Sequence, residues 1–468
     1  MMKVWKRVLS GRLLPCVLLL LFFIAAFLAL AIYLPQAIRP LALIERLFCL
    51  CVALIVAASR IPAEGKARRL LLLLLPCVGF LAVFTLYKTP NPPKRTPLPR
   101  SDEDALVDKI SALAYRGCGL SVCHAKSAEY FPTGKAMQEK LLSDLALAER
   151  EILLDFYLIA HGKFFDEVLA VLERKAKSGV DVNLIYDDFG CALSLPKKFK
   201  TEMIRRGIKT TVFHPIRAFP LGVLNRRDHR KLVVIDRKIA YTGGVNLADE
   251  YVGEKIKFGH WKDCAIRLSG EPAERFAALF HGRQATQTQS FSTPCVVFGD
   301  LARRGMRLGE EIYFHLISAA KQSLYLCTPY LAPSEKLLFA LKSAALAGVD
   351  VRILIPHIPD KKSVFALSRS YARELLDAGV KVREYSSGFL HAKSLVLDGV
   401  YSLVGSYNLD ERSLFFQAEC GVFLKDEALS RDVTADFLGA WETGEAPPKA
   451  TFFGKCTAFL MRLMLPLF

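Results

Sequence analysis

The sequence predicts an α/β protein of two similar lobes, with mixed or parallel sheets flanked by helices, set behind an N-terminal transmembrane helical segment. Three observations predict it. Long apolar runs crowd the first 88 residues. A strand–helix–strand pattern then recurs after about 170 residues, and the same His-Lys-Asp spacing closes each copy.

The N-terminal part comes first. Of 468 residues 52% are hydrophobic, and the mean hydropathy is +0.27, high for a chain without membrane segments. Leu13–Leu34 is 22 residues without a charge, long enough to cross a bilayer core as a helix. Lys3, Lys6, Arg7 and Arg12 precede it, and no small-x-small cleavage signal follows, which argues against a signal peptide. Leu70–Tyr87 is a second candidate of 18 residues, whereas Leu47–Ser59 has only 13. Residues 1–88 are therefore expected to form two or three spans.

Charge is concentrated there too. The net charge is +17, yet residues 1–100 hold 14 Lys and Arg against two Glu. Basic residues massed beside apolar runs suit anionic lipid, and the modest charge of the remainder argues against a nucleic-acid partner. Residues 89–104, rich in proline, read as a stiff linker. The twelve cysteines show no C-x-x-C pair and read as scattered reduced thiols, which favours a cytosolic catalytic part.

The lobes follow at 105–305 and 306–450. In the first, an apolar run Ile152–Ile159 leads to a helical stretch and then to GVDVNLIYDD from Gly179. In the second, SLYLCTPYL leads to KLLFALKSAALA and GVDVRILIP from Gly348. Glycine after a helical stretch is the expected left-handed C-terminal cap, and continuous apolar strands imply buried, largely parallel sheets. Residues 451–468 carry Phe459, Leu460, Leu463 and Met464 at helical spacing, which predicts an amphipathic, membrane-proximal tail.

Each lobe then presents one set of polar landmarks. The first has His229, Lys231 and Asp236, then Gly244 and Asn246; the second has His391, Lys393 and Asp398, then Ser406 and Asn408. From His to Asn the spacing is 17 in both. Alternate residues of a strand share a face, so each His points with its Lys. An imidazole beside an ammonium suits a phosphate: the Lys binds oxygens while the His attacks phosphorus or donates a proton. An ammonium beside each imidazole repels a cation, so neither a metal nor another cofactor is expected. Asn246 and Asn408 are candidate phosphate donors, and small Gly244 and Ser406 would let phosphate approach. Asp236 and Asp398, on the opposite strand parity, are expected to form supporting ion pairs. Asp263 and Glu419, in later strands, are expected to orient the histidine of their own lobe.

These residues resemble the phospholipase D superfamily. The phrases DHRKLVVIDRKIAYTGGVNLADEY, HWKD and HAKSLVLDGVYSLVGSYNLDERSLFFQAE, with the closing RLMLPLF, resemble bacterial cardiolipin synthases. The chain departs from that pattern at Arg283-Gln284, where a Trp is expected, and at Phe298–Leu301. The resemblance implies two phospholipase D-like lobes and a metal-independent double displacement. One histidine, His229 by analogy, attacks phosphatidylglycerol to form a phosphatidyl-histidine. The other protonates departing glycerol, then activates a second phosphatidylglycerol to give cardiolipin. It also implies a multi-pass protein of the bacterial plasma membrane with a cytoplasmic catalytic part. A phospholipase D or transphosphatidylase using another donor or alcohol, and a superfamily nuclease, are the alternatives.

Overall fold

The computed structural model describes residues 104–215, 226–282, 293–300, 307–448 and 451–464. The expected spans within 1–88, the linker up to residue 103 and Arg283-Gln284 lie outside the described residues. Among the described residues no helix is long and apolar enough to cross a membrane. The elements described below form one compact unit, Pro90–Ala218 with Val223–Arg462.

The first half opens with α1 (Ala105–Cys118), β1 (Cys123–Phe131), α2 (Gly134–Ala146), β2 (Glu151–Phe156), α3 (Lys163–Lys177) and β3 (Asp181–Asp187). It continues with α4 (Asp188–Cys191), α5 (Phe199–Arg205), β4 (Lys209–Phe213), β5 (Lys231–Ile235), β6 (Ile239–Gly243), β7 (His260–Lys262), β8 (Ala265–Gly270) and α6 (Glu271–His281). The second half runs β9 (Thr293–Gly299), α7 (Leu308–Ala319), β10 (Ser323–Cys327), β11 (Leu331–Ala332), α8 (Glu335–Leu346), β12 (Asp350–Pro356) and α9 (Lys362–Leu376). Then come β13 (Lys381–Tyr385), β14 (Gly388–Leu390), β15 (Ser394–Leu397), β16 (Tyr401–Gly405), β17 (Leu409–Asp410), α10 (Glu411–Phe415), β18 (Cys420–Lys425), α11 (Glu427–Glu442) and α12 (Phe452–Met464).

The halves share one 14-stranded sheet, ordered β13-β12-β10-β15-β16-β18-β9-β1-β8-β6-β5-β2-β3-β4. Read outward from the centre, the two arms have the same order, and they meet where β1 pairs antiparallel with β9, Cys123 opposite Cys295. In this order β9 lies in the arm of the second half. Within this sheet only β2, β3 and β4, and β10, β12 and β13, pair in parallel. The sheet is mixed, not largely parallel, because tight hairpins such as β5–β6 and β15–β16 force antiparallel neighbours.

The repeat seen in sequence is this geometry. Helix α3 buries Phe164, Phe165, Val168, Leu169, Val171 and Leu172 against the sheet, an amphipathic stripe at helical spacing. Gly179 and Gly348 follow their helices with φ of 92° each, a conformation other residues adopt at a cost, and they turn the chain into β3 and β12.

Helix α12 packs against the second half. Ala458 is 4% exposed, and Arg462 pairs with Glu374 of α9 at 3.0 Å. Phe453 and Phe459 face outward, 81% and 63% exposed.

Candidate active site

Strands β5 and β15 are wholly buried in the interior of the sheet, so the residues at their N-terminal ends are fixed in place. There His229 and His391 keep 8% and 6% of their surfaces accessible, while Lys231 and Lys393 keep 2% and none. Each lysine reaches back to the carbonyl of its own histidine, Lys231 at 2.5 Å, as two-residue strand spacing allows.

The acids are crossed between the halves. His229 Nδ1 lies 2.9 Å from Glu419 Oε1, and His391 Nδ1 lies 2.7 Å from Asp263 Oδ2. The expectation that each acid serves its own lobe is therefore corrected, and the backbone shows why. His229 N–H donates to the carbonyl of Ala418 at 2.8 Å, and His391 N–H to that of Lys262 at 2.6 Å. Glu419 and Asp263 are the next residues along. Strands β7 and β14 pair in parallel beside them, a contact between halves that no reading of one lobe alone would find.

With Nδ1–H donated to a carboxylate, each histidine presents Nε2 as its reactive nitrogen. Among the described residues neither Nε2 takes a hydrogen bond. Lys393 also approaches His391 Nδ1 at 2.9 Å. That nitrogen has already donated its proton to Asp263, so the ammonium's effective acceptor is the His391 carbonyl.

Gly244 and Ser406 face the acids. A Cβ on Gly244 would sit 2.0 Å from Asp263 Oδ1, so glycine makes room for that carboxylate. Ser406 instead donates to Glu419 Oε2 at 2.5 Å, and Ser413 donates to Glu419 Oε1. At this position both halves support the crossed acid. Asn246 is tied into the fold: its amide donates to Tyr251 Oη at 2.8 Å and accepts from Leu158 N–H at 3.2 Å. Asn408 keeps a buried Oδ1 that has no hydrogen-bond partner among the described residues.

Asp236 and Asp398 lie at the far ends of β5 and β15, roughly 20 Å of extended chain from their histidines. Asp236 accepts from the backbone N–H groups of Glu149, Arg150 and Glu151 at 2.7–2.9 Å. Asp398 does the same for Lys321, Gln322 and Ser323. Both have positive φ, 52° and 51°, in the hairpin turns. Their partners are backbone amides rather than the expected ion pairs. The strand that aims the histidine carries the aspartate away.

A family described as cardiolipin synthase, PLD-like domain, matches residues 141–257 and 313–441. The chain belongs to the cardiolipin synthase family. A cardiolipin synthase of Geobacillus kaustophilus is 34% identical over 376 residues, covering 76% of this chain and 74% of that one. A protein of Streptococcus mutans with no described function is 37% identical over 351 residues, 72% of this chain and 76% of that one. Among solved structures, the phosphatidylserine synthase of Haemophilus influenzae shares the fold, with a TM-score of 0.57 at 13% identity over 74% of this chain and 94% of that one.

Within this cardiolipin synthase fold, burial governs the electrostatics. Burial, then the Lys231 and Lys393 charges, hold the His229 imidazole well below its ordinary range. His391 is pushed down to about 4 by burial and Lys393, against the pull of Asp263. Burial also lowers Lys231 to about 7, against Glu419, and Lys393 to about 8, against Asp263. Burial drives Glu419 up, opposed by Lys231 and the two serine hydroxyls. Both histidines are thus neutral at pH 7 before an anion enters.

Sequence reasoning missed the aromatic residues around the histidines. Tyr157 meets His229 edge-on at 4.8 Å, and Lys231 lies 5.6 Å from its ring centre. Tyr251, Trp261 and Phe389 surround His391 at 5.3, 5.4 and 5.8 Å. One signal was available: Tyr251 and Ser413 each lie five residues after the repeated Asn.

Proposed function

We propose that this protein makes cardiolipin and glycerol from two molecules of phosphatidylglycerol through a phosphatidyl-histidine. The observation that carries the reading is the pair of buried histidines, each held at Nδ1 by the other half's carboxylate. One neutral Nε2 attacks phosphorus. The anionic phosphate draws a proton onto the second imidazole, which gives it to the departing glycerol oxygen. That imidazole then takes the proton of a hydroxyl on a second phosphatidylglycerol, and the phosphorus–nitrogen bond breaks as the new ester forms. Lys231 and Lys393 stabilise the phosphorane charge, more strongly in a buried site than in water. His229 is our assignment for the nucleophile, by superfamily analogy.

The same reading places the reaction at the bacterial plasma membrane, with the apolar runs before residue 88 as a multi-pass anchor and the catalytic unit on the cytoplasmic side. The outward Phe453 and Phe459, with exposed Lys455 between them, support an interfacial role for α12.

The test is purified full-length protein in phosphatidylglycerol vesicles, with lipids and glycerol quantified together. One glycerol per cardiolipin is expected, and EDTA should leave the rate unchanged because Lys and His fill the phosphate-binding and proton-transfer roles. Phosphatidic acid as the main product, or transfer only from another donor lipid, would replace the reading with a hydrolase or another transphosphatidylase.

A further inference from the structure

Cardiolipin formation, the function proposed above, brings two phosphodiesters into one site. The donor's phosphate occupies the His and Lys pairs. The acceptor's phosphate stays attached to its glycerol, a few bonds from the attacking hydroxyl, and it too carries a negative charge that must leave water. A buried anion needs a cation or several donors. Lys231 and Lys393 are already committed to the first phosphate.

Among the described residues Arg412 is a further cation close to the site. It lies in α10, one residue before Ser413, whose hydroxyl holds Glu419 and through it His229. Its carbonyl accepts the N–H groups of Phe416 and Gln417 at 3.1 Å each, closing the turn that leads to Ala418 beneath His229. Its Nε is buried and has no hydrogen-bond partner among the described residues, while the residue as a whole keeps part of its surface accessible. The neighbouring Asp410 caps α10 through Ser413 N–H at 2.8 Å and feels the Arg412 charge, but makes no ion pair with the guanidinium among the described residues. The Arg412 charge is felt at both His229 and Tyr157. A guanidinium with an unpartnered Nε, whose charge reaches a reactive imidazole, is a fork open to an oxyanion, and phosphate fits such a fork with two parallel hydrogen bonds.

We propose, on the basis of that function, that Arg412 binds the phosphate of the acceptor phospholipid, and so selects a lipid hydroxyl over water as the group that resolves the phosphatidyl-enzyme. In the resolving step the acceptor's hydroxyl oxygen bonds to phosphorus. The phosphorus–nitrogen bond breaks with its electron pair returning to the imidazole. The hydroxyl proton passes to the other histidine. Water in the acceptor's place follows the same steps and yields phosphatidic acid.

The experiment uses the full chain in phosphatidylglycerol vesicles, wild type against Arg412→Gln and Arg412→Lys, with ethanol added as an acceptor that bears no phosphate. Cardiolipin, phosphatidylethanol, phosphatidic acid and glycerol are all measured. For Arg412→Gln the ratio of cardiolipin to phosphatidylethanol should fall at least tenfold and the phosphatidic acid share should rise, while Arg412→Lys recovers part of the ratio. A parallel fall of every product with the ratio unchanged in both variants would overturn the proposal and make Arg412 a support of His229. If Arg412→Gln does not fold, Arg412→Lys decides alone: its point charge cannot form the two-pronged contact, so an unchanged ratio overturns the proposal and a several-fold lower one supports it. Wild type that makes phosphatidylethanol but no cardiolipin would instead refute the cardiolipin-forming function itself.

Discussion

The two half-sites have the same backbone and different surroundings. Behind His229 stands a network of buried charge. Arg227, fully buried, donates from Nε to both oxygens of Asp187 at 3.0 and 2.9 Å. Arg230 grips Asp228 at 2.8 and 2.5 Å and lies 2.9 Å from Asp155. Asp155 has no aligned donor, and burial pushes it up to about 8 against the pull of Arg230. At the matching places behind His391 stand Phe389, Leu390 and Ala392, with Cys327 where Asp155 would be and Pro356 where Asp187 would be. At these matching places the His229 side carries ion pairs and the His391 side apolar residues, although Lys262, whose carbonyl takes the His391 N–H, pairs with Asp436 at 2.7 Å. Buried ion pairs rarely outdo apolar packing in stability. The network behind His229 gives it the more charged setting, and the rings of Tyr251, Trp261 and Phe389 give His391 an aromatic one, which suits two histidines that divide nucleophile from acid.

The deepest cut through this comparison removes each histidine in turn. His229→Ala and His391→Ala should each lower cardiolipin formation on the order of 10³-fold or more, and the double variant should be no worse than either single one. A variant keeping a tenth of the rate would reduce its half to scaffolding. The crossed pairing has its own readout: Glu419→Gln should shift the imidazole ¹⁵N signals of His229 and leave those of His391 in place. The reverse pattern would restore acids that serve their own lobe.

A second cut compares what holds each side. Arg227→Met leaves Asp187 buried without its cation and should cost about 3–5 kcal/mol of stability. Phe389→Leu, an apolar swap at the matching position, should cost under about 1.5 kcal/mol. Equal losses in denaturant unfolding would mean that the charged network is no more than alternative packing.

Titration sharpens the comparison further. Lys231 and Lys393 have folded values of about 7 and 8, below their ordinary range. As pH rises through 7 to 8 the free enzyme loses these charges, so kcat/KM should fall, about tenfold per unit after the first step and about a hundredfold per unit beyond the second. Bound phosphate favours the ammonium forms, so the alkaline limb of kcat should lie at higher pH than that of kcat/KM. The linkage to stability has a definite sign. Between pH 7 and the ordinary lysine value the unfolded chain holds protons that the folded chain has released, so these two groups make stability rise with pH across that window. Coincident limbs for kcat and kcat/KM would show that substrate phosphate does not meet the lysines.

Much of this was legible in sequence because it is local. Two-residue spacing placed each Lys beside its His, helical stripes ended at Gly179 and Gly348, and the repeat announced paired lobes. The crossed acids were not legible, since Asp263 and Glu419 reach their histidines through pairings between halves, 128 and 190 residues apart in the chain. The roles of Gly244 and Ser406 followed the acids and were hidden with them. Arg412 escaped notice because its counterpart after Asn246 is an acid, Glu250, so the repeat gave it no partner to match.

The smallest effect separates motif from site. Asp236 and Asp398 belong to the recurring pattern as firmly as the histidines do, yet each spends its carboxylate on backbone N–H groups in a turn at the remote end of its strand. Those amides are partly exposed, so water can replace some of what an alanine removes. Asp236→Ala and Asp398→Ala should each cost about 1–3 kcal/mol of unfolding free energy, by loss of hydrogen bonds to a charged acceptor. At temperatures where the variants stay folded, kcat should remain within a few-fold of wild type. The two should also behave alike, because the turns match on both sides even where the layers behind the histidines do not. A loss of kcat on the scale of the histidine variants, in protein whose unfolding curve is unchanged, would return these aspartates to the chemistry.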